Sequence, residues 1–296
     1  MTLDHGGRLR LALAAVWLLD AALQYQPFMF TRAFGQSLAV SAQGNPRLIS
    51  DPITWSAGIV EQHAVVANAA FATIQLIIAV GIAWRPTVRL ALAASVAWSA
   101  AVWWLGEGLG GVLTGSASPW NGAPGAVIIY ALLAVLLWPG GRNEPASFAA
   151  GRPAGRLPAR LLWLTLWGSM AFLTLQSASM PSPGQQASAF LALVFDLVAI
   201  GIFLPLPYAR AAVIVAAIAA MLIWVIGEDW GAIFTGSATD PNTGPLLVLL
   251  AVAYWPARPA SSNGHGNATD RPALLAHPAA QMLQPGDAGS PSGHFR

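Results

Sequence analysis

The sequence predicts an all-α, polytopic integral membrane protein with eight transmembrane helices, arranged as two parallel four-helix repeats. Three observations predict it: composition, a series of apolar runs, and a motif that occurs twice. Hydrophobic residues make up 56% of the chain and charged residues 9%, against about 25% charged in soluble domains. Cysteine is absent, which excludes disulfides and thiolate metal sites.

The repeated motif is the clearest internal signal. Residues Gly106–Pro124 match Gly227–Pro245 at 9 of 19 positions, at a fixed offset of 121 and without a gap. Both copies contain the pattern GE-x2-G-x3-TGSA. Repeated similarity of this kind indicates an internal duplication.

The first repeat is predicted to occupy residues 1–138. It contains four apolar runs, each a candidate membrane span, at Leu9–Phe30, His63–Trp84, Val88–Leu105 and Gly125–Trp138. The first two runs are separated by a mixed outer loop, residues 31–60. We expect this loop to lie at the membrane interface.

A Pro/Gly/Arg-rich linker, residues 139–158, is predicted to be cytoplasmic. The second repeat follows at residues 159–256, with spans at Arg160–Met180, Ala187–Leu206, Ala209–Ile226 and Leu246–Trp255. Residues 257–296 are rich in Pro, Ala, Gly and Ser, which predicts a disordered cytoplasmic tail.

The offsets between the halves predict their relation. Spans two and six align at offset 120, and spans one and five at offset 150. The extra 30 residues of the first half correspond to its outer loop. Four spans per half is an even number, so both repeats have the same orientation in the membrane.

Arginine distribution predicts the orientation. With a cytoplasmic N-terminus, 12 of the 14 Arg residues lie on the inner side and only Arg32 and Arg47 on the outer side. We therefore expect a multi-pass protein of the plasma membrane, a bacterial inner membrane, with both termini cytoplasmic and both motifs outside. The Arg residues form no patch, so a lipid bilayer and not nucleic acid is the expected partner.

The motifs are the predicted site. Spans four and eight are short, and short segments at corresponding positions of two repeats indicate a binding site. Alternatively, the motifs are tight outer turns that pack helices through small residues. The candidate binding residues are Glu107, Thr114, Ser116, Asn121, Glu228, Asp229, Thr235, Ser237 and Asn242.

Glu107 and Glu228 each follow the C-terminus of a span, where the helix dipole disfavours a carboxylate. Each is therefore expected to have a partner: a cation, a shared proton, or the N–H groups that open the following segment. Asp229 adds a third acid. The alternative is that each glutamate bonds only the amides of its own turn.

Two acids are predicted inside the membrane. Asp20 and Asp196 lie about ten residues into spans one and six, where a charge is costly and indicates function. Gln24, Gln26 and Gln176 are candidate polar partners. The alternative is that each Asp is neutral and joins helices through hydrogen bonds.

His63, beside Glu61 at the outer start of span two, is a candidate metal ligand. The alternative is a hydrogen-bonded histidine at the interface.

The first half opens with Arg10-Leu-Ala-Leu-Ala-Ala-Val-Trp-Leu-Leu-Asp20, and each half has four spans. In these features the chain resembles the DoxX/DoxD-like membrane family, here in tandem. That resemblance implies quinone-coupled oxidation of sulfur compounds, with a quinone as cofactor. It implies no catalytic residue in this chain.

Three functional classes remain open at this point. The first is a protein that binds or passes a small polar solute or ion through an outer site. The second is a quinone-linked oxidoreductase subunit, in which Asp20 or Asp196 relays protons. The third is a non-catalytic partner in a membrane-protein assembly.

Overall fold

The computed structural model describes residues 4–115, 117–140, 148, 155–177 and 185–256, with the side chains of residues 185–187 left aside. All regular secondary structure in these residues is helical. The predicted all-α class is therefore confirmed. Ser116, most of the linker and the tail from residue 257 lie outside the described residues.

Six α-helices form the N-terminal helix group, residues 4–140. They are α1 (His5–Leu23), α2 (Arg32–Val40), α3 (Arg47–Gln62), α4 (Ala64–Ala83), α5 (Val88–Leu105) and α6 (Ala126–Leu136). Short 3-10 turns at Pro27–Phe30, Gly108–Thr114 and Pro119–Asn121 connect them.

Four α-helices form the C-terminal helix group, residues 155–256. They are α7 (Arg156–Ser177), α8 (Gln185–Gly201), α9 (Leu206–Leu222) and α10 (Thr243–Ala253). A π-helical turn, Ile223–Gly227, extends α9, and a 3-10 turn follows at Asp229–Thr235.

Helices in both groups pack in the same sequential order. In the first, α1 packs on α4, α4 on α5 and α5 on α6; in the second, α7 packs on α8, α8 on α9 and α9 on α10. The groups meet where α6 and α1 contact α10. One continuous core joins them, and its largest buried side chains include Trp17, Tyr130, Trp163 and Trp167.

Within the part of the chain that the structure describes, three helices are long and apolar enough to cross a membrane: Ala64–Ala83, Val88–Leu105 and Leu206–Gly227. Helices α6 and α10 are equally apolar but have only 11 residues each. The described residues therefore contain apolar helices that are compatible with a membrane, three of them of full length against the eight spans predicted.

The structure corrects the prediction of a mixed outer loop at residues 31–60. These residues form the two helices α2 and α3, which pack on each other. Gly35 allows this contact, because a Cβ there would collide with the backbone of Glu61. The predicted first span is also too long, since α1 ends at Leu23.

Candidate functional site

Each copy of the motif begins with a turn of left-handed backbone. The φ angles lie between 56° and 67° at residues 108–111 and between 47° and 68° at residues 229–232. Four of these eight positions are not glycine: Leu109, Asp229, Trp230 and Ala232. Each such residue costs roughly 1–2 kcal/mol. Strain of this kind persists only where the surroundings impose it, and it clusters at functional sites.

The central glycine of each turn lies against a proline carbonyl. A Cβ on Gly110 would collide with the carbonyl of Pro124, and one on Gly231 with that of Pro241. The same carbonyls accept indole N–H bonds, from Trp103 to Pro124 (2.7 Å) and from Trp224 to Pro241 (2.9 Å).

Pro124 and Pro241 therefore occupy equivalent places, which corrects the ungapped alignment. That alignment paired Pro124 with Pro245 and Asn121 with Asn242. In the structure the first copy carries four more residues after the TGSA sequence, and these form the 3-10 turn Pro119–Asn121. Beyond the turn, α6 and α10 correspond at an offset of 117.

Glu107 and Glu228 face the N-termini of the helices that follow them. Glu107 Oε1 accepts a 3.4 Å bond from the Val127 N–H of α6. Glu228 accepts bonds from the N–H groups of Thr243 (3.2 Å) and Gly244 (3.1 Å), and a short bond from the Thr243 hydroxyl. Three kinds of partner were considered from sequence, and the structure provides one of them: the backbone N–H groups at the start of the following helix. Such groups favour a negative charge on the glutamate.

The other candidates in the motifs mostly make local bonds. The hydroxyls of Thr114 and Thr235 donate to the carbonyls of Gly111 and Ala232, both at 2.7 Å. Asn242 accepts a bond from the Thr243 N–H at the start of α10. Asp229 is exposed. These contacts stabilise the turns.

The two motifs enclose an outer pocket of about 350 Å³. Its polar side chains come from both motifs: Glu107, Asn121, Ser237, Thr239, Asp240 and Asn242. Glu228 is not among them. Instead, the backbone of Gly122 lies against Glu228 and Asn242.

A second space, the inner cavity, lies inside the N-terminal helix group and also measures about 350 Å³. Its lining includes the aromatic side chains of Trp17, Phe34, Phe71, Trp98 and Tyr130. Helices α2 and α3 form part of its wall, and Glu107, Thr239 and Asp240 line both this cavity and the outer pocket.

Buried polar atoms of the inner cavity lack partners. Tyr130 donates a 2.5 Å hydrogen bond to Asp20 Oδ2. Four oxygen atoms of lining residues accept no hydrogen bond from any described residue: Asp20 Oδ1, Gln24 Oε1, Gln75 Oε1 and Glu107 Oε2. Since buried polar atoms are normally bonded, these four are candidate acceptors for the donor groups of a ligand.

Asp240 reaches this cavity from the C-terminal helix group. Its carboxylate accepts bonds from the Asn242 N–H (2.7 Å) and the Thr239 hydroxyl (2.8 Å). Burial raises the pKa of Asp240. Burial first, and the Asp240 carboxylate second, raise the pKa of Glu107 from its usual 4.5 to about 8. Glu107 is therefore largely protonated at neutral pH when the site is empty.

Asp196 is not an interior acid. It lies on the exposed face of α8, between Leu193 and Leu197, which are 54% and 62% exposed. It makes no hydrogen bond to a described residue, so it neither joins the described helices nor lines the inner cavity. Asp20, by contrast, is buried and accepts a hydrogen bond from Tyr130, which was not among the polar partners considered from the sequence.

His63 is exposed at the junction between α3 and α4. Its neighbour Glu61 accepts a 3.0 Å bond from Gln36. Within the described part of the chain, no group of three His, Cys, Asp or Glu side chains is placed to hold a metal ion.

Sequence reasoning missed Asp240 and Tyr130. Asp240 has no acidic counterpart at offset 121, where Pro119 stands, so the repeated pattern does not point to it. The available signal was an acid inside a motif otherwise made of small residues.

Comparison with known proteins found no matching family model, curated protein or solved structure.

Proposed function

We propose that this chain is a multi-pass membrane protein of eight spans, built as two parallel four-helix repeats, that binds or passes a small polar solute or ion. The solute site is the inner cavity of the N-terminal helix group. The observation that carries this proposal is the set of four buried, unpartnered side-chain oxygen atoms around that cavity.

Several features support the repeat architecture. The helices of both groups pack in the same order. The left-handed turns and the Trp-to-Pro bonds recur in both motifs. In each copy the glutamate N–H bonds the carbonyl five residues before it, Glu107 to Val102 and Glu228 to Ile223.

The orientation is supported by arginines at the end of the helices opposite the motifs. Arg10 donates to the Leu137 carbonyl at the end of α6, and Arg210 donates to the Pro256 carbonyl just after α10. We infer that this end is cytoplasmic, that the motifs are extracytoplasmic, and that the solute enters through the outer pocket. The linker and tail would then be cytoplasmic.

Mass spectrometry of the small molecules retained by detergent-purified protein tests the solute site. We expect the wild type to retain a small molecule, and Asp20→Asn to lose it. Asp229→Asn is the matched control, because Asp229 is an exposed acid that lines neither cavity. If the wild type retains no small molecule, and none binds or permeates in reconstituted vesicles, the proposal is wrong.

A quinone site is the second candidate, and it is the function that the resemblance to the DoxX/DoxD-like family implies. The aromatic lining and the Tyr130–Asp20 pair favour it, because a quinone ring stacks on aromatic side chains and its carbonyls accept bonds from protonated acids. A quinone among the retained molecules and saturable binding of decylubiquinone to the purified protein would support this candidate over the first. Loss of a co-purifying membrane protein as the only defect of Asp20→Asn would instead favour an assembly role.

A further inference from the structure

The acids around the inner cavity have no basic counterpart. Asp20, Glu107 and Asp240 all line it. None of the described residues that line it is basic, and the sequence contains no lysine at all. Charges buried in a membrane protein normally pair with one another or with a ligand. When these carboxylates are ionised, the described lining residues supply no positive charge to balance them, so a cationic ligand would supply it.

The rest of the lining indicates which kind of cation fits. Trp17, Trp98 and Tyr130 present aromatic rings around the same space, and the Trp17 and Tyr130 rings lie 4.4 Å apart. Aromatic rings attract ammonium groups and pack on their alkyl substituents. A bare metal ion needs a close shell of oxygen or nitrogen ligands, and the described residues bring no three His, Cys, Asp or Glu side chains together to begin one.

We propose that the inner cavity binds one small organic ammonium ion, with Asp20, Glu107 and Asp240 as its counter-charge and the aromatic lining around its alkyl groups. This proposal rests on the proposed function of the inner cavity as a solute site. The cavity volume of about 350 Å³ lies at the lower end of the range for small-molecule sites.

Through Asp240, the C-terminal helix group contributes to the inner cavity, which lies in the N-terminal helix group. Asp240 lines both the outer pocket and the inner cavity, together with Glu107 and Thr239. An ammonium ion that enters from the outer side would therefore pass between Glu107 and Asp240. Its arrival would also relieve the repulsion between these two carboxylates.

The C-terminal helix group has no matching site. At the positions that correspond to Asp20, Gln75 and Tyr130, the second repeat carries Met170, Phe195 and Leu247, which are all buried. Apolar side chains thus fill the equivalent space. We expect one bound ammonium ion per chain, although the motif occurs twice.

Isothermal titration of the full chain in detergent, at pH 8.5, tests this inference. The probes are choline and benzyltrimethylammonium, and 3,3-dimethylbutan-1-ol serves as the neutral isostere of choline. We expect one equivalent of an ammonium probe to bind, and the neutral isostere to bind at least about tenfold more weakly, because it lacks the charge.

Variants locate the binding site. Asp240→Asn should weaken ammonium binding at least about tenfold, since it removes a buried counter-charge, whereas Asp229→Asn should leave it unchanged. The comparison of choline with its isostere uses the wild type alone, so it remains decisive even if Asp240→Asn fails to fold.

Each other outcome overturns a defined part of the inference. If the neutral isostere binds as tightly as choline, the charge has no role and the ammonium proposal is wrong, while the solute site stands. The same holds if neither ammonium probe binds but decylubiquinone does. If no probe binds and no small molecule is retained, both the ammonium proposal and the proposed function fail.

Discussion

Glu107 meets the backbone N–H groups of Ala126 and Val127 at the start of α6, the latter at 3.4 Å, whereas Glu228, 121 residues later in the same motif, accepts three bonds at the start of α10. The two glutamates thus occupy equivalent places but are bound to different degrees. The bonds to Glu228 fix the start of α10, so this glutamate has a structural role. Glu107 retains a buried, unpartnered oxygen that lines both cavities.

Glu228→Gln should destabilise the protein by about 1–3 kcal/mol. The carboxylate bonds donors through both of its oxygens, so a Gln amide would place a donor against one of them. Chemical denaturation in detergent measures the effect, and Asp229→Asn, an exposed acid of the same motif, is the control. A stability equal to the wild type would show that these bonds contribute nothing.

Stability should fall as the pH rises from about 5 to 8. The pKa of Glu107 is about 8 in the folded chain, above its usual 4.5, so over this interval the folded state retains a proton that the unfolded chain releases. Burial raises the pKa values of Asp240 and Glu228 as well, which acts in the same direction. The measurement is Tm in detergent at several pH values.

Glu107→Gln removes the titrating carboxyl group, so Tm of this variant should fall less between pH 5 and 8 than Tm of the wild type. Asp229→Asn should show the same fall as the wild type. For an ammonium ligand, the affinity of the wild type should rise through pH 8 as Glu107 ionises. A quinone would show the reverse, since it needs the protonated acid as a donor. A flat pH profile of Tm in the wild type would contradict the elevated pKa of Glu107.

Gly125→Ala should disturb Glu107 directly. A Cβ at Gly125, where φ is 115°, would collide with Glu107 Oε2. Gly115→Ala is the control, because φ there is 77° and no heavy atom lies within 4 Å of its Cβ. Both variants carry backbone strain of about 1–3 kcal/mol, but only Gly125→Ala should also lose the bound small molecule. If both variants lose the bound small molecule to the same extent, glycine is needed at position 125 for its backbone conformation alone and not for its contact with Glu107.

Asp196→Leu should leave folding intact. Asp196 lies on the exposed apolar face of α8 and bonds no described residue, so its removal should cost little stability. If that face contacts lipid, the change should favour insertion by up to about 2.5–3.5 kcal/mol. Asp20→Leu should misfold, because it leaves the Tyr130 hydroxyl unpaired in the core. Size-exclusion chromatography and Tm distinguish the two, and a misfolded Asp196→Leu would be evidence of an unrecognised contact.

Single cysteines test the orientation, since the native chain has none. Cys at the exposed position Ser237 should react with an impermeant maleimide on intact cells. Cys at Leu204, which is 45% exposed between α8 and α9, should react only after lysis. The reverse labelling would place the motifs in the cytoplasm.

The sequence by itself determined the class of this protein and the positions of its motif turns. Apolar runs predict helices because hydrocarbon requires every backbone group to be bonded within its segment, and α4, α5 and α6 lie close to their predicted bounds. The repeated Gly-Glu and Thr-Gly-Ser-Ala letters predict two turns of the same form, because left-handed backbone and close approach restrict those positions to few residue types.

Only the tertiary structure decided which polar residues meet. A membrane helix is apolar on every face, so its periodicity does not indicate which face is interior, and the sequence could not distinguish buried Asp20 from exposed Asp196. The four extra residues before Pro124 shift the register of α6 without leaving a hydrophobic signal. Asp240 lines the same cavity as Asp20 and Glu107, and α10, which begins three residues after it, contacts both α1 and α6. These contacts join residues more than 100 positions apart in the chain.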